Sequence, residues 1–299
     1  DRTKAIYEAE ENFERMEAER SRPRRPHHHG SLPWLIRSYE QTRKFKDKAP
    51  KTKSSHDYCS RIVMEWSSRG NHPLIQKINR PAILKFLSSM DETPSKRNHV
   101  SSYLRTLLNY ACDIGLIETN PAAGLRLTQP EASIRLWDIE QEFEPVVAWL
   151  EKRGRHQLAT AMHIARSIGQ REGDVLSLME PRDYSNGKFS FYQSKTGAHV
   201  EFVAPGELIG RISSRPDGQL LLVANEKTGK KYNQRTLTKW IRQATRSLGL
   251  DDLQFRHLRH TCVAEMARAE CTVPEIAAVT GHSLRTVGKI LKHYLPRDS

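Results

Sequence analysis

The sequence predicts a mainly α chain with one small β-hairpin or sheet (α+β), divided between an all-α unit and a second, mixed unit. Three observations predict it. At 299 residues the chain exceeds what one hydrophobic core usually organises, so two compact units are expected. Apolar residues recur three and four apart in segment after segment, the period of an amphipathic helix. One stretch alone, FSFYQSKTGAHVEFV (189–203), alternates with period two around a Lys-Thr-Gly turn, which reads as a hairpin.

Residues 1–30 open with a strongly helical stretch and then break at SRPRRPHHHG, so they read as a helical tail or tether. The chain starts at Asp1, which suggests a trimmed N-terminus, and this segment lacks the apolar run of a secretory signal. From residue 31 to 127 every periodic segment is helical: SLPWLIRSYEQ, HDYCSRIVMEW, RPAILKFL and VSSYLRTLLNYACDIGL. Asn120-Pro121 is expected to end the last of these helices. The RKFKDKAPKTK stretch (43–53) reads as a loop gathering Arg43, Lys44, Lys46, Lys48, Lys51 and Lys53, either a DNA-backbone patch or a solvated connection. A linker with Gly124 and Pro130 follows, and the second unit, 128–299, reads as helices near 139–152, 157–168 and 172–179, the hairpin, then helices near 233–248, 259–269, 273–279 and 284–293.

Composition narrows the function. Hydrophobic residues make up 37%, and no apolar run approaches the roughly 20 residues of a membrane span. Cys59, Cys112, Cys262 and Cys271 stand at neither metal-ligand nor secreted-disulfide spacing, so reduced thiols are expected. The 48 Lys+Arg against 35 Asp+Glu give +13, which suits a polyanionic partner. Residues 31–125 hold 15 basic and 8 acidic groups and residues 126–299 hold 26 and 20, so both units are positive, as expected if each touches a phosphate backbone.

Four pieces of the second unit carry chemistry: IGQREGDVLSL (168–178), SKTG (194–197), FRHLRHT (255–261), and TGHS with a later HYLPR (280–297). Each alone is common. In this order and at these separations they resemble the catalytic domain of the tyrosine recombinase, or phage integrase, family, and the all-α unit closed by Asn-Pro-Ala resembles its core-binding domain. The resemblance covers roughly residues 31–297. It implies strand cleavage through a 3′-phosphotyrosine at Tyr294, without metal, ATP or another cofactor. It also implies double-stranded DNA as partner, a homo-tetramer on paired sites, and a cytoplasmic protein encoded by a phage or mobile element or associated with the bacterial nucleoid.

Attack on a phosphodiester builds negative charge that fixed cations must stabilise. Arg171 and Arg259 are the candidates, because a guanidinium stays protonated and its planar fork matches phosphate oxygens. Arg171 is also expected at a helix start, where backbone N–H groups favour anions. Asp174, three residues on, can share its face, and the resemblance gives it an orienting role. The resemblance makes Lys195, on the hairpin turn, the general acid for the leaving 5′ oxygen. His282 is placed to hydrogen-bond the phosphate or the attacking oxygen. The Tyr294 phenol, with a pKa of about 10, needs neighbouring cations to ionise near neutrality.

Two departures from the family pattern stand out. Arg256 occupies the place of the usual histidine of His-x-x-Arg, and arginine cannot shuttle a proton near neutrality. Arg256 is therefore expected to act electrostatically, with water or His282 accepting the tyrosine proton. His257 would point about 100° from the Arg256 face of a helix. The second departure is the twelve-residue step from His282 to Tyr294, longer than the commonest pattern. Two other readings remain open: a catalytically impaired integrase-like DNA-binding protein, and a type IB topoisomerase-like enzyme.

Overall fold

A computed structural model describes residues 28–128 and 134–294. Most of the expected N-terminal tail and the middle of the expected linker lie outside the described residues. The chain divides into two compact units, Asp1–Glu131 and Ala132–Ser299, where the sequence suggested a division after residue 127.

The first unit is a bundle of α1 (Leu32–Gln41), α2 (Arg43–Lys46), α3 (Pro50–Ser68), α4 (Arg80–Ser88) and α5 (Pro94–Asp113). Ser31 and Asn79 accept hydrogen bonds from the Trp34 and Ala82 amides, capping α1 and α4. Leu104, Leu107, Leu108 and Ala111 form a buried stripe on α5 at spacings of three and four, facing Leu32, Leu35 and Ile36 of α1 and Ile83 and Leu87 of α4 in one core. Full burial of each leucine contributes about 2 kcal/mol.

Two expectations in this unit are corrected. Residues 43–53 are not a loop. The Thr42 side chain caps α2 by accepting from the Phe45 amide at 3.2 Å, and Pro50, whose fixed φ suits a first helical turn, starts α3. The last helix ends at Asp113, before Asn120-Pro121, because Gly115 takes φ +72° and the Leu116 amide turns back to the Ala111 carbonyl.

The second unit begins with a wide π turn, Ile139–Phe143, that runs into α6 (Glu144–Glu151), then α7 (His156–Ile168) and α8 (Glu172–Val175). Strands β1 (Tyr184–Ser185), β2 (Lys188–Tyr192) and β3 (His199–Val203) form an antiparallel sheet in chain order, with Phe189 opposite Phe202 and Phe191 opposite Val200. Helices α9 (Gly206–Ser213), α10 (Gln234–Ser247), α11 (Leu258–Arg268), α12 (Val273–Thr280) and α13 (Leu284–Tyr294) complete it, with a 3-10 turn at Phe255–His257. The main core forms around α7, which buries Leu158, Met162, Ile164 and Ile168. A separate small cluster of Val263, Ile276, Val287, Ile290 and Leu291 joins α11, α12 and α13, with Tyr294 packed against it.

Here α8 is one turn long, not the expected 172–179, because residues 178–180 turn to pair with 220–222 through the Leu222 amide to the Leu178 carbonyl and the Glu180 amide to the Leu220 carbonyl. The hairpin gains β1 as a third strand. Helix α9 escaped the sequence reading: it is eight residues long and contains Gly206 and Gly210, both poor helix formers.

Candidate active site

Helix α7 ends at Gly169, which takes φ +58°, a conformation that glycine reaches without strain. This turn presents the Gly169 carbonyl to a guanidinium N–H of Arg259, carried on the first turn of α11. Arg259 is 8% exposed. Its Nε donates to His282 Nε2 at 2.9 Å, while Nη2 is buried without a hydrogen-bond partner. Burial, then the charge of Arg171, lowers the Arg259 pKa to about 10, so it remains a cation at neutral pH.

His282 follows α12, whose C-terminal Gly281 has φ +64°. The His282 Nδ1 lies 2.9 Å from Thr280 Oγ1, and that hydroxyl spends its own proton on the Ile276 carbonyl at 2.6 Å. Nδ1 must therefore be the donor and Nε2 the acceptor, which defines a neutral tautomer. Burial, followed by Arg259, His260 and Arg171, holds the His282 pKa down at about 3. With its lone pair taken by Arg259, His282 is not a free base. The expectation that it accepts the tyrosine proton is corrected on this ground.

Arg171 is the residue before α8, and the one-turn length of that helix removes the helix-start contribution expected from sequence. Arg171 Nη1 donates to Gln193 Oε1 at 3.0 Å and lies 3.9 Å from Asp174 Oδ2. Asp174 is buried and orients the hairpin: its Oδ1 accepts from the Ser194 amide at 3.1 Å and the Ser194 hydroxyl at 2.5 Å. Lys195 is the next residue, exposed in the turn between β2 and β3.

Gln193 is the residue that the sequence reading missed. Buried at 1% exposure, its Oε1 also accepts from Thr196 Oγ1 at 2.7 Å. Its Nε2 donates to the Thr280 carbonyl at 2.9 Å and to Gln170 Oε1. One amide thus ties the lysine turn to Arg171 and to the end of α12 that leads into His282. A signal existed in the alternation itself: Phe189 and Phe191 of β2 and Gln193, the residue after it, are alternately placed and buried, and a polar residue in a core position requires partners.

The remaining candidates take no part in these hydrogen bonds. Arg256 is exposed. His257, beside it, is buried and closes a capping box with Gln254, in keeping with its expected divergence from Arg256. The Tyr294 hydroxyl, at the end of α13, donates to the Ile134 carbonyl at 2.5 Å. Burial raises its pKa and Arg135 opposes that rise. The structure brings Arg171, Arg259, His282, Asp174 and the base of the Lys195 turn together; Tyr294 is docked on the chain segment that enters the unit. In the first unit, Arg43, Lys44, Lys46 and Lys51 are exposed and Lys48 and Lys53 half-buried. There, Arg43 pairs with Asp47 at 3.5 Å and Lys53 Nζ donates to the Lys46 carbonyl at 2.6 Å.

Two guanidinium groups, one with a buried unpartnered N–H, a neutral histidine and an exposed lysine on the neighbouring turn are donors of the kind that suits a tetrahedral oxyanion. The architecture has solved counterparts. A lambda integrase dimer bound to a COC′ core site aligns with a TM-score of 0.73 at 17% identity, over 86% of this chain and 97% of that chain. A lambda integrase tetramer bound to a Holliday junction aligns at 0.75 and 17% identity, over 87% and 77%. The Tn1549 transposon integrase in complex with circular intermediate DNA aligns at 0.69 and 13% identity, over 89% and 95%. No curated protein sequence matches the chain. The profile of the Phage integrase family matches residues 140–295, more than half of the sequence and every element from the π turn to α13, and the chain belongs to that family.

Proposed function

We propose that the chain is a site-specific DNA recombinase that cleaves and rejoins duplex DNA through a 3′-phosphotyrosine at Tyr294. The observation that carries this reading is the Arg171–Arg259 pair. Arg259 is depressed first by burial and then by the Arg171 charge, and with its Nη2 buried and unpartnered the two like charges are best stabilised by an anion lying between them. A scissile phosphate meets that need, and the same groups stabilise the charge that grows on its oxygens during attack.

In this reading Tyr294 leaves the Ile134 carbonyl and attacks phosphorus in line, while Lys195 protonates the departing 5′ oxygen. The free 5′ hydroxyl of a partner strand later reverses the step, and the phosphotyrosine conserves the bond energy, so no ATP is consumed. Arg256 contributes positive charge at the rim. Likeness to the integrase tetramer on a Holliday junction supports a tetramer on paired duplex sites. Arg43, Lys44, Lys46, Lys48, Lys51 and Lys53 are assigned to the DNA backbone, with cytoplasmic location in a host of phage or mobile DNA.

The docked position of Tyr294, together with Arg256 in the histidine position, favours a second reading, an integrase-derived DNA binder that does not cut. A nicked suicide duplex separates the two. A recombinase leaves a covalent adduct that Tyr294→Phe abolishes; a binder retards the duplex on a gel and leaves none.

A further inference from the structure

The IGQREGDVLSL motif supplies Arg171 and Asp174 to the site, and it also contains Gln170, which phosphate chemistry alone does not require. Gln170 is 2% exposed and Gln193 is 1% exposed. Two uncharged amides buried side by side need partners for their N–H groups and oxygens. An amide carries two N–H donors and an oxygen that only accepts, so the surroundings dictate which way each one faces.

The last turn of a helix leaves its carbonyls without intrahelical partners, and two helices end here. The Gln170 amide donates to the Ile168 carbonyl at the end of α7 at 2.7 Å and to the Val279 carbonyl in the last turn of α12 at 2.9 Å. Carbonyls cannot donate, so both Gln170 N–H groups are spent on them and its Oε1 is turned to Gln193. That oxygen takes one N–H of Gln193, and the Thr280 carbonyl takes the other at 2.9 Å. Gln193 Oε1 is thereby directed to two further donors, Arg171 Nη1 at 3.0 Å and Thr196 Oγ1 at 2.7 Å. The polarity runs one way: helix-end carbonyls orient Gln170, Gln170 orients Gln193, and Gln193 holds Arg171 and the residue that follows Lys195. The Arg171 side chain keeps 32% of its surface exposed, so the bond on Nη1 steers a guanidinium that still reaches solvent, from which a phosphate arrives.

We propose that Gln170 is a positioning residue for strand cleavage, acting through Gln193 to hold Arg171 and the Lys195 turn in register about one phosphate. This rests on the recombinase reading above. Gln170 touches neither phosphate nor nucleophile; it completes the bonding of the Gln193 amide. Without the Gln170 oxygen one Gln193 N–H is left buried and unpaired, a costly state, and the amide regains a partner only by turning away from Arg171 and Thr196. Arg171 and the Lys195 turn then lose the acceptor they share, and a misplacement on the order of 1 Å slows a reaction that depends on alignment.

The test uses the full chain, a saturating concentration of nicked suicide duplex and a single turnover. Such a duplex traps every competent molecule, so the final yield of adduct counts folded, DNA-bound protein, whereas the rate constant reports alignment. Gln170→Met, similar in length but without an amide, is expected to form adduct about 10- to 100-fold more slowly, at unchanged yield and with unchanged DNA affinity on a gel. In a Gln193→Met background the same substitution is expected to cost no further rate, because the two residues act in series. On a duplex with a 5′-bridging sulfur, whose thiolate departs without protonation, the deficit of Gln170→Met is expected to shrink: the share lost through Lys195 no longer counts, and the share lost through Arg171 stays. If Gln170→Met fails to melt cooperatively, Gln170→Asn, which draws the amide back from Gln193 by one methylene, is read in the same way. A wild-type rate in the variant, a lower yield at the wild-type rate, further slowing in the Gln193→Met background, or an equal deficit on both duplexes overturns the assignment alone. A wild-type chain that forms no adduct overturns the recombinase reading and this assignment with it.

Discussion

Arg259 Nε lies 2.9 Å from His282 Nε2, and this one hydrogen bond sets the protonation of the centre. The guanidinium N–H can only donate, so the imidazole must accept there and carry its own proton on Nδ1, toward Thr280. His282 thereby acts as a strut beneath Arg259 and holds the guanidinium in its fork-forward orientation.

Replacing His282 with alanine removes that acceptor and leaves a buried charged N–H unpaired. The expected loss is about 1–3 kcal/mol of unfolding free energy, read by urea denaturation, with adduct formation slowed alongside it. An alanine variant of undiminished stability would show that the bond carries no weight.

Gly281→Ala is expected to be severe. A Cβ there would fall 2.2 Å from the Gln193 amide nitrogen, at a residue with φ +64°. The amide end of a glutamine ordinarily yields, but this one is bonded to Arg171, Thr196, Gln170 and Thr280. Strain of about 1–3 kcal/mol is expected from the backbone alone. In the double variant Gly281→Ala/Gln193→Ala the clash disappears and the backbone strain stays. Stability should recover only in part, while the Lys195 turn, freed from Arg171, leaves cleavage slow. Full recovery of both would contradict the coupling.

Tyr294→Phe deletes one hydroxyl and keeps the ring in its apolar cluster. The lost bond to Ile134 is worth about 0.5–1.5 kcal/mol, so thermal stability should change little and DNA binding should persist while the covalent adduct vanishes. Adduct formation surviving this substitution would remove Tyr294 from the chemistry.

Acid should weaken the second unit. His257 and His282 titrate at about 4 and about 3 when folded, against about 6.5 in the unfolded chain. Between those values the unfolded chain binds more protons, so stability falls as pH drops from about 6.5 toward 4. Melting temperatures across that range provide the check, and a flat profile would mean that the two rings are not held neutral.

How far the sequence reveals this arrangement depends on the kind of contact. The helices of both units and the hairpin follow from apolar periodicity, since burial of one face is what the pattern encodes. Arg171, Asp174, Lys195, Arg259 and His282 stand in motifs whose residue types suit a phosphate. Gln193 eluded that reading because three of its four hydrogen bonds, to Arg171, Gln170 and Thr280, reach residues far along the chain, and no local spacing encodes them. The same holds for α8, cut short by pairing with residues 220–222, and for the docking of Tyr294 on Ile134, a contact across 160 positions. The basic run 43–53 misled because charge density suggested a loop, while Thr42 and Pro50 carried the helix signals.

The small apolar cluster beneath α13 has a thermodynamic consequence. The helix that bears Tyr294 is anchored mainly by Val287, Ile290 and Leu291, outside the principal core around α7. Segments with few such anchors open at lower free energy than the global transition. Amide protons of α13 should accordingly exchange with solvent well before those of α7, so that the part of the molecule that the proposed attack sets in motion is also the part whose release leaves the scaffold intact.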